Sequence, residues 1–209
     1  MAELITGLDA ARVRANLARI RGELPDGVEI LAAVKYVPLE ELGTLVEAGI
    51  TLVGENRAQD LEAKAVAQPG LRWHFIGQLQ SRKVKQILPY VELIHSVASD
   101  SALRQLEKHG TPETEILVEV NVAGEEEKAG VAPADLGAFI ARSPVKVVGL
   151  MTMPPFTDDP EVSRPVFARL RELAGEHGLH HLSMGTSQDY RVAAEEGATI
   201  VRLGTVLYA

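Results

Sequence analysis

The chain has 209 residues, 21 Lys and Arg against 29 Asp and Glu, a formal net charge of -8 and 46% hydrophobic residues. With no cysteine it can form no disulfide, thiolate metal site or catalytic thiol, and its acidic balance speaks against nucleic acid or an anionic membrane as main partner, since both demand a basic footprint. No apolar run approaches the roughly 20 residues of a membrane helix, and Met1 to Leu4 have neither the basic nor the apolar region of a secretory signal, so the expectation is a cytoplasmic protein with one domain over 1–209.

In chain order, Ala10, Val13, Leu17, Ile20 and Leu24 recur at helical spacing with arginines between them, which predicts an amphipathic helix. The breaker Leu24-Pro25-Asp26-Gly27 follows, and then a β-rich run over 28–34 that ends at Lys35. The same alternation continues: strands near 51–53, 72–76, 92–96, 115–121, 146–151, 180–184 and 199–203. Amphipathic stretches over 39–48, 59–67, 79–88, 102–108, 134–141, 162–177 and 190–196 separate them. Eight strands joined by helical crossovers predict a parallel (β/α)8 TIM barrel, because eight strands close a ring. The eighth strand falls too near residue 209 for a following helix, so the N-terminal helix is expected to stand in for it. An open doubly wound sheet would carry a Gly-rich turn after its first strand, where this chain has Lys35-Tyr36-Val37-Pro38.

In such barrels the chemistry collects where strands end and βα loops begin. This sequence places there Lys35, Glu55 and Asn56, His74 and Gln78, His95 and Ser96, Asn121, Met151 and Thr152, the run from Ser183 to Ser187, and Arg202 to Thr205. The loops after strands seven and eight are a common phosphate seat, and Gly185, Ser187, Gly204 and Thr205 form a plausible cup of backbone and hydroxyl donors. Gly185 as a bend and Ser187 as an N-cap read equally well as turn chemistry. Lys35, at the end of Ile30-Leu31-Ala32-Ala33-Val34, is a Schiff-base amine if it points inward and an ordinary solvated lysine if it does not. Arg202, inside an apolar strand, needs a partner: the ring nitrogen of pyridoxal phosphate would serve, and so would an acid such as Glu55. Tyr36 is expected on the opposite side of the strand from Lys35. Tyr90, Tyr190 and Tyr208 read as packing or turn residues.

Other constellations are weaker. Gly185-Thr186-Ser187-Gln188-Asp189 lacks the last glycine of a nucleophile elbow and no histidine follows Ser187. His177, His180 and His181 form no tetrahedral metal set.

The chain resembles the pyridoxal phosphate homeostasis proteins, related to the N-terminal barrel of alanine racemase. The carriers are Ala33-Val34-Lys35, Gly54-Glu55-Asn56-x-x-Gln59, His74-x-Ile76-Gly77-x-Leu79-Gln80, Gly149-Leu150-Met151-x-Met153, Ser183-Met184-Gly185-x-Ser187-x-Asp189 and Val201-Arg202-Leu203-Gly204-Thr205. Thr186, Arg82 and Asp60 depart from the usual pattern. The resemblance implies a single pyridoxal phosphate-binding barrel. Lys35 is then the aldimine lysine, Arg202 faces the pyridine nitrogen, Ser187, Gly204 and Thr205 hold the phosphate, Asn56, His74 and Met151 line the ring, and Ser183 and Gly185 belong to the same cofactor-binding set. It implies a role in vitamin B6 and amino-acid homeostasis without rapid turnover, with apo forms of cofactor-dependent enzymes as transient acceptors. An arginine keeps the ring nitrogen unprotonated and weakens the ring as an electron sink. The alternatives are a cofactor-dependent amino-acid racemase or lyase, and a phosphosugar isomerase or aldolase using the same cup. A racemase needs a second base that related enzymes take from a further domain and a dimer partner, so a monomer is expected.

Overall fold

The computed structural model describes residues 4–125 and 129–209; Met1, Ala2 and Glu3, read above as part of no leader, lie outside the described residues. Eight parallel strands, β1 Glu29–Ala33, β2 Leu52–Glu55, β3 Arg72–Phe75, β4 Leu93–Val97, β5 Glu115–Glu119, β6 Lys146–Met151, β7 His181–Ser183 and β8 Ile200–Leu203, pair in sequence order. Strand β8 returns to β1, with Leu31 opposite Arg202, and closes the predicted barrel.

Alternation along the strands sorts side chains between two cores. Outward residues such as Ile30, Ala32, Val53, Ile94, Val118 and Val201 join the large core beneath the helices. Inward, Leu31, Leu52, Leu93, Leu117, Met151 and Ile200 fill the barrel axis. Two residues farther along several of these strands the inward positions become small or polar: Ala33, Gly54, His95, Glu119 and Arg202. The apolar plug thus gives way to a polar floor under the βα loops, as the sequence pattern implied.

Helix α1 (Ala10–Glu23) begins at Asp9, whose carboxylate accepts from the Arg12 N–H at 2.7 Å, and buries Val13, Leu17 and Ile20. Helices α2 (Leu42–Glu47), α3 (Ala58–Ala67), α4 (Val84–Ile87), α5 (Asp100–His109), α6 (Leu136–Ala141), α7 (Arg164–Glu176) and α8 (Tyr190–Glu195) follow at the expected places. The stretch over 79–88 is broken into short pieces, with 3-10 turns on either side of α4. Pro89 explains the second break, since it has no N–H to continue a helix.

A helix does follow β8, contrary to the expectation: one turn, α9 (Thr205–Tyr208). It fits because four residues complete a turn, and α1 packs on it, with the Asn16 side chain donating to the carbonyls of Leu207 and Ala209. The N-terminal helix therefore covers the gap together with this turn rather than alone.

Candidate functional site

The βα end of the barrel is built around Arg202. Its Nη1 donates to the Ser183 carbonyl at 2.7 Å and to Ser183 Oγ at 2.5 Å, and its Nη2 donates to the Thr152 carbonyl at 3.0 Å and lies 2.7 Å from Met153 Sδ. Glu55, weighed above as its partner, is engaged elsewhere, and among the described residues no carboxylate comes within ion-pair distance of this guanidinium. Neutral acceptors hold it instead, while Glu119 and Asp189 act from farther away. Burial brings its pKa down to about 10 against those two charges.

Behind Arg202 the polar groups continue inward. His95 Nδ1 lies 2.8 Å from Ser183 Oγ and His95 Nε2 lies 2.9 Å from His74 Nδ1, all of them buried. Burial keeps both rings neutral: His74 falls to about 3, helped by the charge on Arg72 and by His181, and His95 falls well below its ordinary value. Burial raises the Glu119 carboxyl and Arg202 opposes that rise.

The loops after β7 and β8 meet as the sequence suggested. Gly185 takes φ +90, and a Cβ there would stand 2.5 Å from the Ala193 Cβ, so only glycine suits this bend. Its carbonyl accepts from the Arg202 N–H at 3.0 Å. Ser187 does not cap a helix; α8 starts at Tyr190 with Asp189 before it, whose carboxylate accepts from the Thr186 N–H and hydroxyl. Ser187 Oγ instead accepts from the N–H groups of Gly204 at 3.1 Å and Val206 at 3.3 Å, marking where two backbone donors converge on one oxygen. Thr205 is exposed beside them.

Lys35 is half-buried just beyond β1, its Nζ 4.9 Å from the centre of the Tyr36 ring. Tyr36 is thus a neighbour of the amine rather than its opposite. β1 ends at Ala33, so residues 35 and 36 lie in a turn and strand alternation no longer applies. Lys35 lines a cleft of about 270 Å³ together with Leu39, Arg57, Gln59 and Lys64. The structure gathers Arg202, Ser183, Gly185, Ser187 and Gly204 into one cluster and leaves Lys35 in this separate cleft, lined by α3. Met151 is buried at the end of β6, and Asn56 lines a groove with Gln78, Gln80 and Lys83.

Two features escaped the sequence reading. Lys64 Nζ donates to Glu55 Oε2 at 2.5 Å and to the Val34 carbonyl at 2.7 Å, a buried ion pair beside the Lys35 peptide. Tyr208, read as a packing residue, donates its hydroxyl to the Ala33 carbonyl at 3.1 Å, and burial together with the charge on Glu55 raises its pKa. The helical spacing of Ala58, Leu61 and Lys64 carried the signal for the buried lysine.

The model of the alanine racemase N-terminal domain family matches residues 8–209. A curated pyridoxal phosphate homeostasis protein of Aquifex aeolicus is 43% identical over 203 residues, covering 90% of this chain and 88% of its relative. The chain belongs to this family, among the pyridoxal phosphate homeostasis proteins. Another member, from Pseudomonas aeruginosa, is 38% identical over 95% of this chain and 91% of its own length. Among solved structures, PipY of Synechococcus elongatus with pyridoxal phosphate bound superposes with a TM-score of 0.82 at 31% identity, covering 94% of this chain and all of PipY. An alanine racemase of Clostridium difficile, 13% identical with a TM-score of 0.77, shares the barrel fold.

Proposed function

We propose that this pyridoxal phosphate homeostasis family member binds pyridoxal 5'-phosphate at the βα end of its barrel and holds and exchanges it, serving vitamin B6 and amino-acid homeostasis rather than rapid turnover. The observation that carries this reading is Arg202, a buried guanidinium held by neutral acceptors beside two backbone N–H groups that already converge on an oxygen. The PLP-bound structure of PipY supports it.

The residues present suit the group. Lys35 offers the amine for the aldehyde, and the N–H groups of Gly204 and Val206 with Ser187 and Thr205 offer phosphate donors, Gly185 shaping the loop that carries Ser187. Asn56 is offered to the ring from the end of β2, whereas His74 and Met151 lie deeper in the barrel, behind the groups that would meet it. The cofactor supplies an aldehyde and an electron-accepting pyridine ring. Arg202 can donate to the ring nitrogen but cannot hand over a proton, so that nitrogen stays unprotonated and carbanion chemistry is disfavoured. Residues 1–209 act as one binding unit, monomeric, with apo forms of cofactor-dependent enzymes as transient acceptors.

Borohydride reduction of the protein loaded with pyridoxal phosphate, followed by peptide mass spectrometry, tests the site. The pyridoxyl group is expected on Lys35; labelling of Lys64, Lys83 or Lys85 instead overturns the assignment. Steady product formation from single L-amino acids overturns the carrier role in favour of a racemase or lyase.

A further inference from the structure

We propose that His74, His95 and Ser183 are positioning residues for Arg202, joined to it in a one-way hydrogen-bond chain in which every link donates away from the guanidinium. A guanidinium has donors and no acceptor, so at the 2.5 Å contact Ser183 Oγ must accept. The serine's own hydrogen is buried, and of the two side chains bonded to its oxygen only His95 Nδ1, at 2.8 Å, can receive it. A buried hydroxyl hydrogen left unpaired is costly. His95 Nδ1 is therefore the lone-pair nitrogen.

Both rings are neutral, so His95 carries its hydrogen on Nε2. That nitrogen faces His74 Nδ1 at 2.9 Å, which must in turn be the acceptor. His74 then carries its hydrogen on Nε2, the nitrogen 3.9 Å from Glu92 Oε2. Glu92 immediately precedes β4, so the chain runs through the barrel from the βα loops toward its opposite end. The polarity at Arg202 thus sets the tautomer of two histidines that belong to other strands. In return, Ser183 meets the guanidinium with both its carbonyl and its hydroxyl, while the Thr152 carbonyl fixes the other terminal nitrogen. This arrangement fixes the plane of a cation that has no carboxylate at contact distance among the described residues. Of the two histidines, His74 entered the sequence reading as a ring-lining residue and His95 had no role.

The chain is a property of the protein by itself; only its effect on a bound ring rests on the proposed function. Imidazole nitrogen NMR of the full chain without added ligand is expected to show His74 and His95 each protonated at Nε2 and bare at Nδ1. S183A removes the donor to His95 and an acceptor of Arg202. It is expected to abolish the His95 preference, shift the absorption band of bound pyridoxal phosphate and weaken its binding about tenfold, as loss of one hydrogen bond to a charged group implies; S183T restores all three. If S183A does not fold, H95L interrupts the next link, and His74 is expected to lose its fixed tautomer. A proton on Nδ1 of either histidine in the wild type overturns the proposal, as does a set of folded variants with unchanged tautomers and cofactor spectrum. A wild type with the expected tautomers that takes up no pyridoxal phosphate supports the chain and refutes the function instead.

Discussion

Lys64→Met isolates the buried pair that braces the Lys35 segment. Glu55 is fully buried, its Oε1 accepting from the N–H groups of Asn56 and Arg57 and its Oε2 from Lys64. Removing the ammonium leaves a carboxylate in a site water does not reach, a loss of about 3–5 kcal/mol. About 1 kcal/mol of this belongs to the Val34 carbonyl, which also loses its donor. For a chain of this length each kcal/mol moves Tm by about 2–4 °C, so the midpoint should fall by about 6–20 °C. The double variant E55Q/K64M carries no buried charge, and the amide oxygen that replaces the carboxylate can still accept from Asn56 and Arg57, so it should regain about 2–3 kcal/mol over K64M. Urea titration of the wild type, both single variants and the double variant at pH 7 reads all four corners of the cycle. A K64M loss under about 1 kcal/mol, or a double variant no more stable than K64M, would refute the claim that the pair is a desolvated ionic contact.

The buried histidines make stability depend on acid. In the fold His74 takes up its proton only near pH 3 and His95 well below its usual value, whereas each does so near 6.5 when unfolded. The unfolded chain binds more protons below pH 6.5, so stability is full above that pH and falls by about 1.4 kcal/mol per unit through His74 as pH drops toward 3, His95 adding to the fall. Unfolding free energies from urea titrations at pH 7 and 5 should differ by about 2 kcal/mol more in the wild type than in H74Q, and equal differences would contradict the neutral assignment. Gly185→Ala forces φ +90 on a residue with a Cβ against Ala193 and should cost about 1–3 kcal/mol; thermal melts would detect it, and a neutral result would mean that the bend can relax. Ser187→Ala removes the oxygen on which the Gly204 and Val206 N–H groups converge, and fluorescence titration should show pyridoxal phosphate bound about tenfold more weakly. Unchanged affinity would place the phosphate elsewhere.

The barrel was legible because apolar strand cores recur between amphipathic segments, and the strand-end residues were legible because the fold sends them to one rim. Lys35, Arg202, Ser183, Gly185, Ser187 and Gly204 could be placed on that rim from their positions alone. Their pairing could not. Which acceptor satisfies Arg202 depends on the register of β6, β7 and β8, which brings the Thr152 and Ser183 carbonyls to it; the obvious acid, Glu55, is drawn off by Lys64 from the neighbouring helix. Tyr36 was misplaced because strand parity was extended past the end of β1. Ser187 was offered as a cap because its neighbours resemble a helix start, while the three-dimensional meeting of two loops gives its oxygen a different set of donors.

The union of β1 with β8 is the stitch that joins the two far ends of the polypeptide, and Lys35 and Arg202 lie on opposite sides of it. Neither half of the chain can assemble this rim alone, so occupancy should report on completion of the entire ring rather than on any local hairpin or helix. A ligand seated there would oppose unravelling of the whole molecule, and fragments ending before the last strand should show no trace of recognition.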